Sequence, residues 1–361
     1  YGGVSLFVVA FAVHPLAVAL FGAAGLPRRL IPAAIALGAF TFTMTALPGS
    51  PAIQNAIPMP YFGTTVFAAP GLGLVAAAVM AGGGLAYLGW LERRSAAAAA
   101  PAGAATAGDG PAGADEPEGG PAGADAPPPP PLRLGLIPIL TVFAANFALA
   151  EILLPRLDLG YLADPGWGGA APSEVIGIWS LIAALALAIL VLVLMARGRL
   201  SDPRRTLAEG AEAALAPLFN TAALVGFGAT VAALPAFAAV EALAAEAPDG
   251  PLAGLAASAS LLAGITGSAS GGMTIALDAL GARHLEAALA EGVDPAALHR
   301  ITALATGGLD ALPHNGAVVT LLGIAGLTHR EAYGPIFAVA VAIPLAALLV
   351  ALALASGFGA F

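Results

Sequence analysis

Residues 30–91 carry no charged side chain. Helices drawn from such a stretch would have no polar face to turn toward water, so a soluble core cannot easily house them. A bilayer crossing takes about 20 apolar residues, so the stretch can hold two crossings and a connection. Further uncharged runs cover 134–150, 175–196, 213–240, 250–277 and 332–361, and residues 1–27 carry only His14. Repeated runs of this length are the mark of polytopic membrane proteins. The sequence therefore predicts an all-α, multi-pass membrane protein in contact with the lipid bilayer.

Composition narrows the chemistry. Of the 361 residues only 10% are charged, against about a quarter in a soluble domain. The formal net charge of -9 would repel nucleic acid, so no nucleic-acid partner is expected. The chain has no cysteine, which excludes disulfides, thiolate metal sites and cysteine nucleophiles. All 13 basic residues are arginine, so lysine Schiff-base and P-loop lysine chemistry are excluded as well. No cofactor, no metal site and no enzymatic activity is expected.

Residues 95–132 are nearly all Ala, Gly, Pro, Asp and Glu, including the run Pro127 to Pro131. They have little to bury and read as a disordered linker. The linker divides the chain into an N-terminal part, 1–94, and a C-terminal part, 133–361. Arg93, Arg94 and Arg133 flank it, and Arg197, Arg199, Arg204 and Arg205 follow the 175–196 run. The positive-inside rule then places the linker and the 197–205 loop in the cytoplasm, and the acidic 155–174 loop outside. Arg28 and Arg29 fit inside, with 30–60 and 66–90 as the intervening passes. The chain enters an apolar run directly at Tyr1, which reads as an N-terminally truncated protein that has lost helices.

The two parts share short strings. Gly2-Gly3-Val4-Ser5 is matched by Gly271-Gly272-Met273-Thr274, and Ala46-Leu47-Pro48-Gly49-Ser50 by Ala311-Leu312-Pro313-His314-Asn315. The spacings nearly agree, so the sequence suggests a duplicated secondary transporter.

Several apolar runs contain residues that break helices. Thr266-Gly267-Ser268-Ala269-Ser270-Gly271-Gly272 interrupts 250–277. Irregular backbone at membrane depth is tolerated only where it lines a cavity or is buried in protein, and half-helix ends there can hold a carboxylate or a cation. Close helix packing through small residues is the alternative. A second break, 306–316, contains Asp310, His314 and Asn315. Ionisable groups inside membrane segments are costly and both can change protonation state, so Asp310 and His314 are candidates for proton coupling. A polar turn at the membrane surface would use the same residues. The N-terminal counterpart holds Thr41, Thr43, Thr45, Gly49, Ser50, Gln54 and Asn55, with Pro48 and Pro51 interrupting any helix. It reads as a substrate-lining segment without titratable chemistry. The stretch 206–240 reads as a re-entrant hairpin with Asn220-Thr221 near its tip, the alternative being one kinked helix.

These strings, together with Tyr1, Tyr61-Phe62-Gly63-Thr64-Thr65 and Gly308-Leu309-Asp310, resemble the gluconate permease family of gluconate:proton symporters. The resemblance implies two inverted repeats, broken helices, paired re-entrant hairpins and proton symport of gluconate or a related small hydroxy-carboxylate across the bacterial cytoplasmic (inner) membrane. It also implies that the first helices and first hairpin precede Tyr1. The long linker departs from the family's short loop. The expected substrate-binding residues are Gly2, Gly3, Ser5, Thr45, Gly49, Ser50, Asn55, Asn220, Thr221, Thr266, Gly267, Ser268, Ser270, Gly271, Gly272 and Asn315. The inverted arrangement follows if 206–240 is a hairpin, and it puts Arg283 and Arg300 outside. Sodium coupling at the broken helices, a homodimeric assembly, and an intramembrane hydrolase using Ser268 or Ser270 with His314 as base are the competing or additional readings.

Overall fold

A computed structural model describes residues 6–99, 131–167, 169, 172–200, 202–232, 234–235 and 250–361. The expected linker from residue 100 to 130, the Gly2, Gly3 and Ser5 positions, and the end of the 206–240 stretch lie outside them. Among the described residues the secondary structure is helical throughout, with no strand.

The N-terminal part contains α1 (Leu6–Ala23), α2 (Ile31–Ala39), α3 (Phe42–Thr45), α4 (Ile53–Ala56), α5 (Pro58–Phe62) and α6 (Pro70–Ala99). Then come α7 (Leu132–Phe147), prolonged by a π-helical turn over Ala148–Leu153, α8 (Pro172–Met195) and α9 (Pro203–Ala232). The remainder is α10 (Pro251–Thr266), α11 (Ala269–Ala290), α12 (Pro295–Leu309), α13 (Gly316–Ile324), α14 (His329–Phe337) and α15 (Ile343–Phe358). A π-helical turn over Ala338–Ala342 joins the last two into one rod.

Among the described residues four helical stretches are long and apolar enough to cross a bilayer: Pro70–Ser95, Arg133–Arg156, Val175–Met195 and His329–Phe358. The antiparallel pair α7 and α8 exposes Ile139, Leu140, Ile182, Ile189 and Leu190. An apolar surface of that extent has its natural solvent in lipid tails. The chain is thus an all-α polytopic membrane protein.

Local sequence chemistry sets the helix ends. Asp294 caps α12 by accepting from Ala296 N, with Pro295 in the first turn. Ser268 caps α11 by accepting from Gly271 N, and Asn315 caps α13 by accepting from Ala317 N and Val318 N. Gly267 closes α10 in the left-handed region, at φ +62°.

Helix α12 is the axis of the packing. Its residues are buried without interruption from Ala297 to Gly308, and it touches α3, α4, α5, α6, α10, α11 and α15. One hydrophobic core surrounds it, built with α6, α10, α11 and α15. A second lies between α2, α13, α14 and the 338–342 turn.

The two Ala-Leu-Pro segments have the same local structure. Ser50 N donates to Leu47 O at 3.3 Å, and Asn315 N to Leu312 O at 2.9 Å. Ser50 Oγ then accepts from Ala52 N at 3.3 Å, as Asn315 Oδ1 accepts from Ala317 N at 2.6 Å. The shift that places Ala46 on Ala311 also places α1 on α11, α2 and α3 on α12, α4 and α5 on α13, and α6 on α15 with the turn before it. The contacts are reciprocal under this shift. Helix α1 packs on α13 while α11 packs on α4 and α5, and α6 packs on its own counterpart α15. Reciprocity of this kind is what a two-fold relation between units produces.

Three expectations need correction. The stretch 206–240 does not turn at Asn220-Thr221, because both lie within the continuous helix α9. Pro217 removes one backbone donor, a defect that a helix absorbs by bending when its neighbours are good helix formers. The stretch 30–60 is not one pass but the short pieces α2 to α5, since Pro48, Pro51 and Pro58 each deny a helix its hydrogen bond. Residues 95–99, expected in the linker, continue α6.

The α10–α11 hairpin depends on backbone contact at Gly272. A Cβ there would lie 2.2 Å from Ala263 N. Gly272→Ala is therefore expected to lower stability by about 1–3 kcal/mol through overpacking. Gly82→Ala, with nothing within 4 Å of the new methyl, should leave it unchanged or raise it. Thermal unfolding of the purified variants in detergent checks the contrast.

Candidate functional site

The breaks form two clusters on either side of α12. In the first, Arg300 is fully buried and its guanidinium faces the irregular backbone of 45–68. Nε donates to Ala68 O at 3.1 Å, and Nη2 to Ala68 O at 2.9 Å and Val66 O at 3.1 Å. Nη1 donates to Thr45 O at 3.2 Å and Asn55 Oδ1 at 2.9 Å. All five donors of the guanidinium are thereby used. The carbonyls they reach are those that a continuous helix would have satisfied internally.

Asn55 completes the clamp. Its Nδ2 donates to Ser50 O at 3.0 Å and Val66 O at 3.1 Å, with Leu47 O at 3.5 Å. The Arg300 bond fixes the amide's orientation, so His299 Nε2, 3.4 Å away, donates to the same Oδ1. His299 Nδ1 then accepts from Thr64 Oγ1 at 2.7 Å. Ser50 Oγ donates to Thr43 O at 2.9 Å, and Thr45 Oγ1 to Thr41 O at 3.2 Å. Gly49, at φ +75°, faces the rings of Phe67 and Phe143. The structure thus brings Thr45, Gly49, Ser50 and Asn55 together, but spends their polar groups on holding the backbone.

The second cluster joins the α10–α11 turn to the break after α12. His314 Nε2 donates to Gly264 O at 2.9 Å, and Asn315 Nδ2 to Gly267 O at 2.8 Å. Gly267 lies against the His314 ring and the Asn315 backbone. Thr266 Oγ1 donates to Leu262 O at 2.8 Å. Ser268 and Ser270 hydroxyls stand 3.5 Å apart, and Gly271 N donates to Ser268 Oγ. Asp310 follows the last turn of α12, is 3% exposed, and its Oδ1 has no hydrogen-bond partner. His314 is exposed and does not share a hydrogen bond with it. Among the described residues no hydrogen bond links the His314 ring to Ser268 or Ser270, and its Nε2 is held by a backbone carbonyl. The two clusters meet where the Thr45 side chain packs on Gly307.

Of the remaining expected residues, Gly2, Gly3 and Ser5 lie outside the described residues, and Asn220 and Thr221 sit within α9. Arg300, expected outside in the inverted arrangement, is buried within the protein. Asp294 and Pro295 start a helix that carries it about a turn and a half further on, a capping signal readable in the sequence. His299, Arg300, Tyr61, Thr64, Thr65, Glu151 and Asn146 escaped the sequence reading as site residues. The loop 61–65 reaches three titratable side chains: Tyr61 donates to Asp278, Thr64 pairs with His299, and Thr65 Oγ1 donates to Glu151 at 2.6 Å.

Broken helices packed around a buried polar centre, within an apolar helical body, are the architecture of a membrane transporter. The comparisons agree. Over 345 residues the chain is 41% identical to a Bacillus subtilis (strain 168) protein named "Uncharacterized transporter YxjC", a match that covers 94% of this chain and 72% of the relative. The chain belongs to the same transporter family. No family model matches it, and no solved structure matches it.

Arg300 is the residue on which this geometry turns. Arg300→Met removes every donor and leaves buried carbonyls unpaired at about 1–3 kcal/mol each. The variant should unfold at a markedly lower temperature, or fail to accumulate in the membrane. Arg300→Lys, which keeps the charge but has only three donors on one atom, should fall between it and the wild type in the same thermal unfolding measurement.

Proposed function

We propose that this transporter is a proton-coupled symporter of gluconate or a related small hydroxy-carboxylate, working across the bacterial cytoplasmic membrane. The observation that carries the reading is Asp310. A carboxyl group buried at a helix break, with one oxygen unpartnered, is a group whose charge burial disfavours. Such a group can accept a proton on one side and release it on the other as the surrounding breaks change access. His314, exposed on the next turn with Nδ1 free of the Gly264 bond, is placed to exchange that proton with water.

The substrate anion would lie beside the α10–α11 turn. There Ser270 and the first turn of α11 offer a hydroxyl and a helix N-terminus, which favour a carboxylate. Burial of Arg300, with no carboxylate among its partners, leaves a positive charge near the first break. This adds long-range attraction for an anion although the guanidinium has no donor to spare. The surplus of arginine around 197–205 supports placing that loop in the cytoplasm.

Uptake of labelled gluconate and 3-hydroxybutyrate into proteoliposomes, with an inward proton gradient, tests the proposal. Accumulation should collapse with a protonophore and should not require sodium. Asp310→Asn should abolish gradient-driven accumulation, by about a hundred-fold or more for a proton-relay group, while the protein remains in the membrane. Accumulation retained in that variant removes Asp310 from the mechanism, and a sodium requirement at fixed pH gradient replaces the proton with sodium.

A further inference from the structure

Hydrogen-bonding capacity is almost exhausted among the residues that surround the first break. Arg300 has used five donors, Asn55 both amide atoms, and Ser50 its hydroxyl as donor and acceptor. Nothing in that set is left to hold a ligand. Among the described residues, buried side-chain atoms without a partner belong to two residues, Asp310 and Asn146. Asn146 is 0% exposed, and both its Nδ2 and its Oδ1 are unpartnered.

Asn146 stands near the end of α7, a helix that otherwise shows Ile and Leu side chains to lipid. An unpaired carboxamide there costs several kcal/mol relative to an apolar residue of the same size. Phe143 and Ala150, three and four residues away, share its helical face. The Phe143 ring meets Gly49, Ala150 is buried, and the neighbouring Glu151 accepts from Thr65. Phe143 carries this side of the helix onto the first break at Gly49, while the helix as a whole packs on α8. The adjoining π-helical turn, Ala148–Leu153, adds a local irregularity of the kind found beside functional sites.

We infer that Asn146, beside the first break and apart from the α10–α11 turn proposed for the carboxylate, is a residue on the substrate's path that recognises a hydroxyl group. A carboxamide offers one acceptor and one donor side by side, the complement of an alcohol, which also donates and accepts. A carboxylate could use only the Nδ2 half and would leave Oδ1 unpaired. Asn146 thus distinguishes a hydroxy acid from the same acid lacking the hydroxyl, and α7 contributes to specificity from outside the two repeated units. The inference rests on the hydroxy-carboxylate reading and deepens it.

The test is ligand binding to the purified protein, followed by ligand-induced thermal shift. The ligands are gluconate, 3-hydroxybutyrate and, as the analogue without a hydroxyl, butyrate. Asn146→Leu should fold and, without ligand, unfold at the same or a higher temperature, because it removes an unpaired buried amide. Its affinity for the hydroxy acids should fall about ten-fold or more, the equivalent of one or two hydrogen bonds, with butyrate binding unchanged. Asn146→Ala supplies the same comparison if the leucine does not fit. Wild-type affinity for hydroxy acids in a folded variant overturns the inference and leaves the amide a partner of structural water alone. A wild-type protein that binds no hydroxy acid overturns the substrate reading itself, and this inference with it.

Discussion

The rest of the molecule depends on the guanidinium of Arg300. A membrane protein that interrupts its helices must find partners for the backbone groups it frees, because the bilayer supplies none. The segment from Thr45 to Ala68 is such an interruption, and one side chain from α12 accepts the task for most of it. A planar fork with five donors suits several carbonyls arriving from different directions in a way that an ammonium cannot. The clamp also unites the chain. It ties the N-terminal part to the buried axis of the C-terminal part, across more than two hundred residues of sequence.

The second break is handled differently. After α12 the chain caps its own next helix through Asn315 and rests His314 and Asn315 on the carbonyls of the α10–α11 turn. The two breaks therefore share a backbone shape while differing in chemistry. The first is held by a buried cation, and the second carries a buried carboxyl with one oxygen unpartnered. In the proposed mechanism the first break is the fixed frame and the second the part that changes state. Thr45 against Gly307 is the point at which the two breaks touch.

Much of the fold was legible in the residues. Long uncharged runs indicated membrane helices, and the glycine and proline clusters located both breaks within a few residues. The Ala-Leu-Pro strings, short as they are, do mark segments of the same local structure. Less was legible where competing local preferences were nearly balanced. Pro217 and the Asn220-Thr221 pair suggested a turn, yet α9 passes through them, since a single proline can be accommodated by a bend. Nothing near Arg300 in the sequence announces its burial, because a long charged side chain ordinarily lies at a surface. Its burial required four acceptors that lie far away along the chain.

By itself the sequence determined that this chain is a helical membrane protein, where its helices break, and which residues near the breaks can change charge. These follow from local physics: transfer of apolar runs into lipid, and the inability of proline and paired glycines to continue a helix. Only the tertiary structure decided which polar groups remain free. Thr45, Ser50, Asn55 and Asn315 belong to polar strings and read as ligands, but folding commits them to the backbone. Asn146 sits in an apolar run and reads as incidental, yet folding buries it unpaired. The physical reason is that hydrogen-bonding capacity is settled by what arrives in space, and residues separated by a hundred positions supply those partners.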